Sequence, residues 1–215
     1  MRHRETEIKL RVADVDVIRR RLRNLGFRLV HRRSLEDNIL FDTPDRALRK
    51  IRSILRLRHY GGNWLVTFKG TPAADSTYKS RLELETAVER PQAVQSIFEA
   101  LGFRPVFRYQ KYRTHYVPGE ISKGRKSASE VALDETPIGI YLELEGSRRF
   151  IDRTAHGLGY SRADYITTSY GALYLEDCRK KKIAPTDMLI SATFRNARGL
   201  KQTALAEKTL EPEQK

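Results

Sequence analysis

Apolar and polar residues alternate along several short segments of the chain, and this two-residue period predicts β-strands. Gly61 and Gly62 lie between two of these segments, where they predict a hairpin turn. FRLVHRRSLEDNILFD is expected to contain two further strands. About eight to ten strands are predicted in all. The clearest segments are ETEIKLR, SILRLRHY, NWLVTFKG, RLELETAV, YQKYRTHYV, SEVALDE and IYLELEG.

Four segments show the longer period of amphipathic helices. In VDVIRRRLRNLGF, Val15, Ile18 and Leu22 recur at helical spacing before a Leu-Gly-aromatic stop. PQAVQSIFEALGF repeats this plan, with Pro91 in the first turn. A third helix is predicted over 147–158 and a fourth through SYGALYLEDCRKK. Few helices beside many strands predict a sheet-rich α+β fold, with the strands in a closed or nearly closed barrel.

Charged residues occupy every second position of many predicted strands, opposite leucines on the other face. An ordinary sheet would leave these charges in water, whereas a barrel wrapped by helices would turn them into its lumen. Three acidic pairs beside two basic pairs favour the lumen. The set comprises Glu5, Glu7 and Lys9; Arg56 and Arg58; Arg81, Glu83 and Glu85; Lys111, Arg113 and His115; and Glu143 and Glu145.

Carboxylates crowded into one lumen would repel one another by several kcal/mol at an effective dielectric constant of about 20, unless cations lie among them. The pattern therefore predicts bound metal. Oxygen ligands suit a hard cation such as Mg²⁺ or Mn²⁺. Paired arginines present planar forks that match phosphate oxygens. Acids for metal beside bases for phosphate are typical of phosphoryl and nucleotidyl transfer.

Composition narrows the class of protein without choosing a ligand. With 215 residues, 40% hydrophobic and 32% charged, the chain is expected to be one soluble domain. Cys178 is the only cysteine, which excludes an intrachain disulfide and a cysteine-rich metal site. The net charge of +14 predicts an anionic partner: nucleic acid, a membrane surface or a small polyphosphate. No signal peptide or apolar run of about 18 residues is found, so a cytoplasmic protein without a membrane partner is expected.

The charged motifs, taken in order, resemble those of CYTH domains, the triphosphate tunnel metalloenzymes. The resemblance covers about residues 3–178. This family includes class IV adenylate cyclases, thiamine triphosphatases and inorganic triphosphatases. The matching motifs are ETEIK, LRLR, TFKG, RLELE, KYRTHY, VALDETPIGIYLELEG and SYGALYL.

The resemblance implies an eight-stranded antiparallel β tunnel over residues 1–183 that binds a triphosphate in its lumen. Residues 184–215 are then a C-terminal extension, partly mobile or helical. Thr168 stands where family members often carry a basic residue, so a lumen contact from SYGALYL is in doubt. By position, the implied metal ligands are Glu5, Glu7, Glu143 and Glu145. The implied phosphate-binding residues are Lys9, Arg56, Arg58, Lys69, Arg81, Lys111 and Arg113. The candidate catalytic residues are Lys9, Glu83, Glu85 and Asp134.

The residues leave the reaction open between two enzymatic outcomes. Hydrolysis of tripolyphosphate or a nucleoside triphosphate is favoured, because the visible residues explain phosphate and metal binding and nothing specifies a base. The alternative is a class IV adenylate cyclase, which forms cyclic AMP and pyrophosphate from ATP. A non-catalytic polyphosphate-binding module is a further alternative, although it would not need three glutamate pairs. Nucleic acid is not the expected partner, and a homo-oligomer stays open.

Overall fold

The computed structural model of the chain describes residues 3–74, 77–119 and 129–191. These ranges contain eight strands and five helices. In chain order they are β1 (His3–Val12), α1 (Val15–Asn24), β2 (Phe27–Asp42), α2 (Ala47–Lys50), β3 (Ile54–Tyr60), β4 (Asn63–Lys69), β5 (Lys79–Val88), α3 (Pro91–Ala100), β6 (Arg104–Pro118), β7 (Glu130–Thr136), β8 (Gly139–Glu145), α4 (Arg148–Gly157) and α5 (Tyr170–Lys181), with a 3-10 turn at Arg162–Asp164.

The eight strands close into one barrel in which neighbouring strands are antiparallel. Their order around the barrel is β1-β5-β4-β3-β2-β6-β7-β8, and β8 pairs with β1 to complete the circuit. At the closure, Glu7 of β1 lies opposite both Lys79 of β5 and Glu145 of β8. Gly61 and Gly62, with φ of 59° and 81°, form the tight turn between β3 and β4. The predicted α+β barrel and this hairpin are confirmed.

The outer face of β1, β7 and β8 is apolar and lies under α1 and α4. Ile8, Leu10 and Leu144 are fully buried there. Ile18 of α1 and Ile151 of α4 pack into the same cluster. Each large apolar side chain buried in this way contributes about 1.5–3 kcal/mol. Because side chains alternate along a strand, residues between these apolar ones must face the interior of the barrel.

Side-chain caps fix the start of both covering helices. Asp14 accepts hydrogen bonds from two backbone N–H groups at the start of α1, and Ser147 accepts one from Phe150. Such a cap stabilises a helix by about 1 kcal/mol. The predicted helix over 147–158 accordingly runs from Arg148 to Gly157. Within the described ranges, no helix has the length and apolar character needed to cross a membrane.

Two element boundaries differ from the sequence-based prediction. FRLVHRRSLEDNILFD forms the single strand β2 rather than two strands. Its pairing with β6 shifts register at three points, two of them beside His31, so the strand bends without ending. Lys79 and Ser80 precede the predicted strand segment RLELETAV, yet they begin β5 because they pair with β1. The segment PGEISKGRKS, whose Gly, Pro and Ser content predicts a loop, lies mostly outside the described residues.

α5 and the segment after it close one end of the barrel. Met188 and Ile190 are buried, and the Met188 N–H donates a hydrogen bond to the Arg108 carbonyl of β6. Residues 184–191 therefore follow the barrel wall. The predicted domain boundary at residue 183 stays a prediction, since 192–215 lie outside the described residues.

Candidate active site in the barrel lumen

Alternate side chains of β1 face the interior of the barrel, which we call the lumen. Glu5, Glu7 and Lys9 have only 3%, 6% and 2% of their surface exposed. Lys9 lies opposite Glu143 of β8, whose side chain is 14% exposed. A sheet with its charged face in water would leave these groups solvated, so their burial excludes that interpretation.

Five strands, β1, β3, β5, β6 and β8, each contribute more than one charged side chain to the lumen or its rim, whereas β2, β4 and β7 contribute Glu36, Lys69 and Asp134. Equal numbers of basic and acidic groups form this lumen set, so their formal charges cancel. The chain's +14 therefore comes from residues outside the set. The basic members are Lys9, Arg56, Arg58, Lys69, Lys79, Arg81, Lys111 and Arg113; the acidic members are Glu5, Glu7, Glu36, Glu83, Glu85, Asp134, Glu143 and Glu145.

The implied metal ligands lie on the adjacent strands β1 and β8. Three of them pair with lumen cations. Lys69 Nζ lies 2.7 Å from a Glu5 oxygen, Lys79 Nζ lies 2.7 Å from Glu7 Oε1, and Arg113 contacts Glu143. Among the described residues, no three Asp, Glu, His or Cys side chains are grouped as a ready-made metal site. Binding a cation there would require these lysine and arginine contacts to be exchanged.

The electrostatics of this acidic region fit a divalent cation. Burial and the neighbouring Glu7 raise the pKa of Glu5 to about 10. Burial and the nearby Glu130 raise the pKa of Glu145 to about 8. Both shifts reflect carboxylates held near one another in a low-dielectric space. A hard cation bound by carboxylate oxygens would relieve that repulsion, so Glu5, Glu7, Glu143 and Glu145 could hold Mg²⁺ or Mn²⁺.

The basic groups of β6 are held by one buried carboxylate. Asp134 is fully buried and accepts hydrogen bonds from Arg113 Nε and Nη2, both at 2.6 Å, and from Lys111 Nζ at 2.9 Å. A carboxylate that accepts both arms of a guanidinium fixes its plane. Asp134 therefore positions two phosphate-binding candidates, and its predicted catalytic role stays a prediction.

The basic groups of β3 and β4 are held by acids from other strands. Arg58 Nη2 donates to Glu85 Oε2 at 2.8 Å, and Lys69 Nζ lies 3.0 Å from Glu83. Burial raises the pKa of Glu83, but a hydrogen bond with Glu5 and the charge of Lys69 outweigh it and lower this pKa to about 2. The structure thus brings the candidate catalytic residues Glu83 and Glu85 to the lumen, where Glu85 is the more exposed of the two.

The sequence-based set lacks several lumen residues of the strands, among them Glu36, Thr67 and Lys79. Glu36 is fully buried within 3.4 Å of Lys111 and 3.7 Å of Arg113. Thr67 donates to Glu85, and Lys79 pairs with Glu7. Glu36 has only a weak signal, because Asn38 lies two positions away on the same face but Asp37 between them is also charged, so the segment does not show which face is polar. Lys79 has no comparable signal, since it follows a run of small polar residues.

The first residue of α5 reaches the lumen from the barrel end. The Tyr170 hydroxyl donates to Asp134 Oδ2 at 2.7 Å. Lys9 and Lys111 lie 5.1 Å and 4.9 Å from the centre of its ring. Burial raises the pKa of Tyr170 well above its usual value, so the hydroxyl stays a donor. The lumen contact left in doubt by Thr168 is therefore made by Tyr170.

Comparison with known proteins identifies the fold family. The sequence profile of the CYTH domain matches residues 3–170. The chain belongs to the CYTH domain family. This CYTH domain is 35% identical over 144 residues to a Methanocaldococcus jannaschii protein provisionally named an adenylate cyclase, an alignment that covers 66% of this chain and 77% of that relative.

Solved structures resemble this CYTH domain over most of its length. A Vibrio parahaemolyticus protein provisionally named an adenylate cyclase has a TM-score of 0.69 at 21% identity, covering 80% of this chain and 98% of its own. The PH1819 protein of Pyrococcus horikoshii has a TM-score of 0.66 at 24% identity, covering 80% and 99%. A Hippeastrum protein provisionally named an adenylyl cyclase, reported with a dominant triphosphatase activity, has a TM-score of 0.56 at 19% identity, covering 84% and 98%. These likenesses support the tunnel fold.

Proposed function

We propose that this CYTH domain is a divalent-metal-dependent enzyme that hydrolyses a triphosphate inside its lumen. The observation that carries the proposal is the buried lumen set, in which acids on β1 and β8 face bases on β3, β4 and β6. A small polyanion with its metal ions can replace the internal ion pairs, because each partner then finds an opposite charge. Mg²⁺ or Mn²⁺ and a tripolyphosphate or nucleoside triphosphate are the proposed ligands.

The side chains have distinct tasks in this proposal. When bound, the metal supplies charge neutralisation and a polarised water. Arg56, Arg58 and Arg113 bind phosphate oxygens with planar forks, while Lys69 and Lys111 add point charge. Lys9, between Glu7 and Glu143, neutralises charge that develops on the transferred phosphoryl group. Glu83 and Glu85 are the candidates to orient or deprotonate the attacking water.

Asp134 and Tyr170 position the β6 cations and close the lumen at the α5 end. Glu36 serves the same positioning task from β2, since it lies among Lys111, Arg113 and Arg58. The carboxylates of Asp134 and Glu36 hold these basic side chains in place, so the cations do not move to pair with other acids of the lumen. The lumen is thereby preorganised for phosphate before substrate enters, which reduces the reorganisation needed in the transition state.

A cyclase activity is the second candidate function. The observation that favours it is the 35% identity with the M. jannaschii relative, which carries an adenylate cyclase name. The same lumen would then hold ATP so that the ribose 3′-hydroxyl attacks the α-phosphorus, with pyrophosphate as the leaving group. Both reactions use the same charge neutralisation, so they differ in the nucleophile that the site positions.

One experiment separates the two reactions. The protein is incubated with tripolyphosphate and with ATP in parallel, each with Mg²⁺ or Mn²⁺, and the products are identified. Orthophosphate from tripolyphosphate is the expected result. The protein would be a cyclase instead of a hydrolase if it forms cyclic AMP and pyrophosphate from ATP and releases no orthophosphate from tripolyphosphate. Absence of turnover with both substrates and both metals would contradict the enzymatic proposal.

A further inference from the structure

A large cavity opens beside the lumen at the end of the barrel that α5 covers. Its volume is about 810 Å³, within the range of roughly 300–1,000 Å³ that is usual for small-molecule sites. Its walls come from the loop between β2 and β3, the start of β5 and the start of α5. Lys79 and Arg81 line it and also belong to the lumen set, so the cavity adjoins the triphosphate site.

This cavity carries an excess of positive charge, in contrast with the balanced lumen. Five basic side chains line it against two acidic ones, Asp42 and Asp187. Asp42 is already engaged by backbone N–H groups, and Asp187 accepts from the Arg108 N–H. We call four of the basic residues the mouth arginines: Arg46, Arg49, Arg52 and Arg81.

Among these basic residues, Arg81 gives the strongest indication that the cavity binds an anion. Its surface is only 5% exposed, and its buried Nε has no hydrogen-bond partner among the residues that the structure describes. It lies opposite Glu5 in the β1–β5 pairing, yet Glu5 pairs with Lys69 instead. A buried N–H of a charged group is destabilising when it lacks an acceptor. An anion in the adjoining cavity would satisfy it.

The other three mouth arginines lie in the connection between β2 and β3, and hydrogen bonds fix the backbone of this connection. Arg46 and Arg52 have φ of 62° and 59°, a left-handed conformation that is costly for a residue with a side chain. The buried Asp42 carboxylate fixes this loop by accepting from the N–H groups of Thr43, Leu48 and Arg49, at 2.8, 2.9 and 3.0 Å. The loop therefore places its arginines around the cavity without a ligand's help.

We propose that the cavity is a second anion subsite, in which the mouth arginines bind phosphate beyond the three groups held in the lumen. This inference rests on the proposed function, since it takes the lumen as the triphosphate site. Two kinds of ligand could supply the additional phosphate. It belongs either to a longer linear polyphosphate or to an organic triphosphate whose organic group is itself phosphorylated, for which Leu55, Phe107 and Leu175 offer an apolar wall.

The test compares two pairs of ligands that differ only in phosphate outside the triphosphate. The first pair is tripolyphosphate and tetrapolyphosphate, and the second is GTP and guanosine 5′-triphosphate 3′-diphosphate. Dissociation constants are measured by calorimetry with Mg²⁺ at low temperature. The ligand-induced rise in Tm provides a second readout that does not depend on turnover.

We expect the wild-type protein to bind the extended member of at least one pair about tenfold more tightly, as a charge-assisted contact provides. The triple variant R46Q/R49Q/R52Q should lose most of that factor. The matched control R20Q/R23Q/R32Q removes three exposed charges from α1 and β2 and should keep it. The pair that shows the preference identifies the source of the phosphate, and the Tm without ligand verifies that each variant folds.

Equal wild-type affinity within both pairs would overturn the inference. Loss of the preference in both triple variants would also overturn it, because the effect would then reflect net charge. A protein that hydrolyses tripolyphosphate but shows no preference would leave the proposed function in place without this subsite. A protein that shows the preference, and loses it in R46Q/R49Q/R52Q, without hydrolysing any ligand would support the subsite while the proposed function fails.

Discussion

The two faces of the same barrel strands are built from opposite interactions. On β1, Glu5 and Glu7 point inward to lysines, whereas Ile8 and Leu10 point outward into a core that α1 and α4 cover. Taking paired charges out of water costs about as much free energy as their attraction returns, and often more. Burial of the apolar face is strongly favourable. The outer face therefore stabilises the barrel, and this stability offsets the free-energy cost of burying charged groups in the lumen.

This division predicts how substitutions should behave. A change on the lumen face that leaves every former partner with another opposite charge should alter turnover per folded molecule with a small effect on Tm. A change on the outer face should alter the folded fraction with a small effect on turnover per folded molecule. Alternate residues of one strand can test both halves of the comparison.

The largest effect is expected for Glu143→Gln. It removes a charge proposed to bind metal while keeping the side chain's size. Since metal contributes several kcal/mol of charge stabilisation and about 1.4 kcal/mol corresponds to tenfold in rate, kcat should fall at least about 10²-fold. Steady-state kinetics with Mg²⁺ or Mn²⁺ measure this loss. Glu176→Gln, which affects an exposed pair with Lys180 on α5, is the matched control and should keep wild-type kinetics.

Two outcomes would contradict the prediction for Glu143→Gln. Wild-type kcat would show that this glutamate is not a ligand. A fall in Tm comparable with that of a core substitution would show that its pairing with Arg113 and Lys9 serves stability, which would remove the contrast between the two faces.

Leu10→Ala tests the outer face next. Leu10 is fully buried in the cluster under α1 and α4, so its truncation leaves a cavity and should cost about 2–5 kcal/mol in the free energy of unfolding. Denaturant titration measures this loss, and kcat of the remaining folded protein should stay near the wild-type value. Leu84→Ala is the control, because Leu84 is 48% exposed on β5 and its truncation should change stability by less than about 0.5 kcal/mol. Equal losses in both variants would contradict the assigned core.

Arg113→Lys sharpens the comparison within the lumen. The charge is kept, but lysine cannot reproduce the two-pronged contact with Asp134, so kcat/KM should fall roughly 10- to 100-fold. Arg108→Lys makes the same exchange in an exposed two-pronged pair with Asp37 and should change kcat/KM less than twofold, an effect of about 0.4 kcal/mol or less. Steady-state kinetics at saturating metal provide the measurement. A lower Tm with unchanged kcat/KM for Arg113→Lys would make that arginine structural.

Where the two-residue period is regular, the sequence predicts which side chains face the lumen. Glu5, Glu7, Glu143 and Glu145 are identifiable because strict alternation assigns each a face, and the apolar neighbours of these residues show which face the helices cover. The ordered motifs then predict a closed barrel, which the pairing of β8 with β1 confirms.

The remaining lumen residues escape prediction for physical reasons. Register shifts beside His31 interrupt the alternation of β2, so the inward position of Glu36 cannot be phased from the start of that strand. Tyr170 enters the lumen from a helix whose side chains follow another period. The cavity lined by the mouth arginines lies between the loop after Asp42, Thr168 and Pro185, which are far apart in sequence. No local pattern marks such a meeting of distant segments.

The smallest effect is expected for Tyr170→Phe, at the boundary between the two kinds of interaction. Its ring lies in an apolar cluster with Tyr109 and Tyr141, while its hydroxyl donates to the lumen carboxylate of Asp134. Removing one hydrogen bond to a charged acceptor costs about 1.5–3 kcal/mol.

Asp134 keeps its contacts with Lys111 and Arg113 in this variant, so kcat/KM should fall by tenfold or less and Tm by a few degrees. Tyr174→Phe on the same helix, where the hydroxyl has long contacts of 3.3–3.5 Å with Thr186 and Asp187 and, among the described residues, none with a charged group, is the matched control and should be silent in both measurements. If Tyr170→Phe instead lowers kcat as far as Glu143→Gln while Tm is unchanged, the hydroxyl takes part in the reaction itself. The active site would then extend beyond the strands to the helix that closes the barrel.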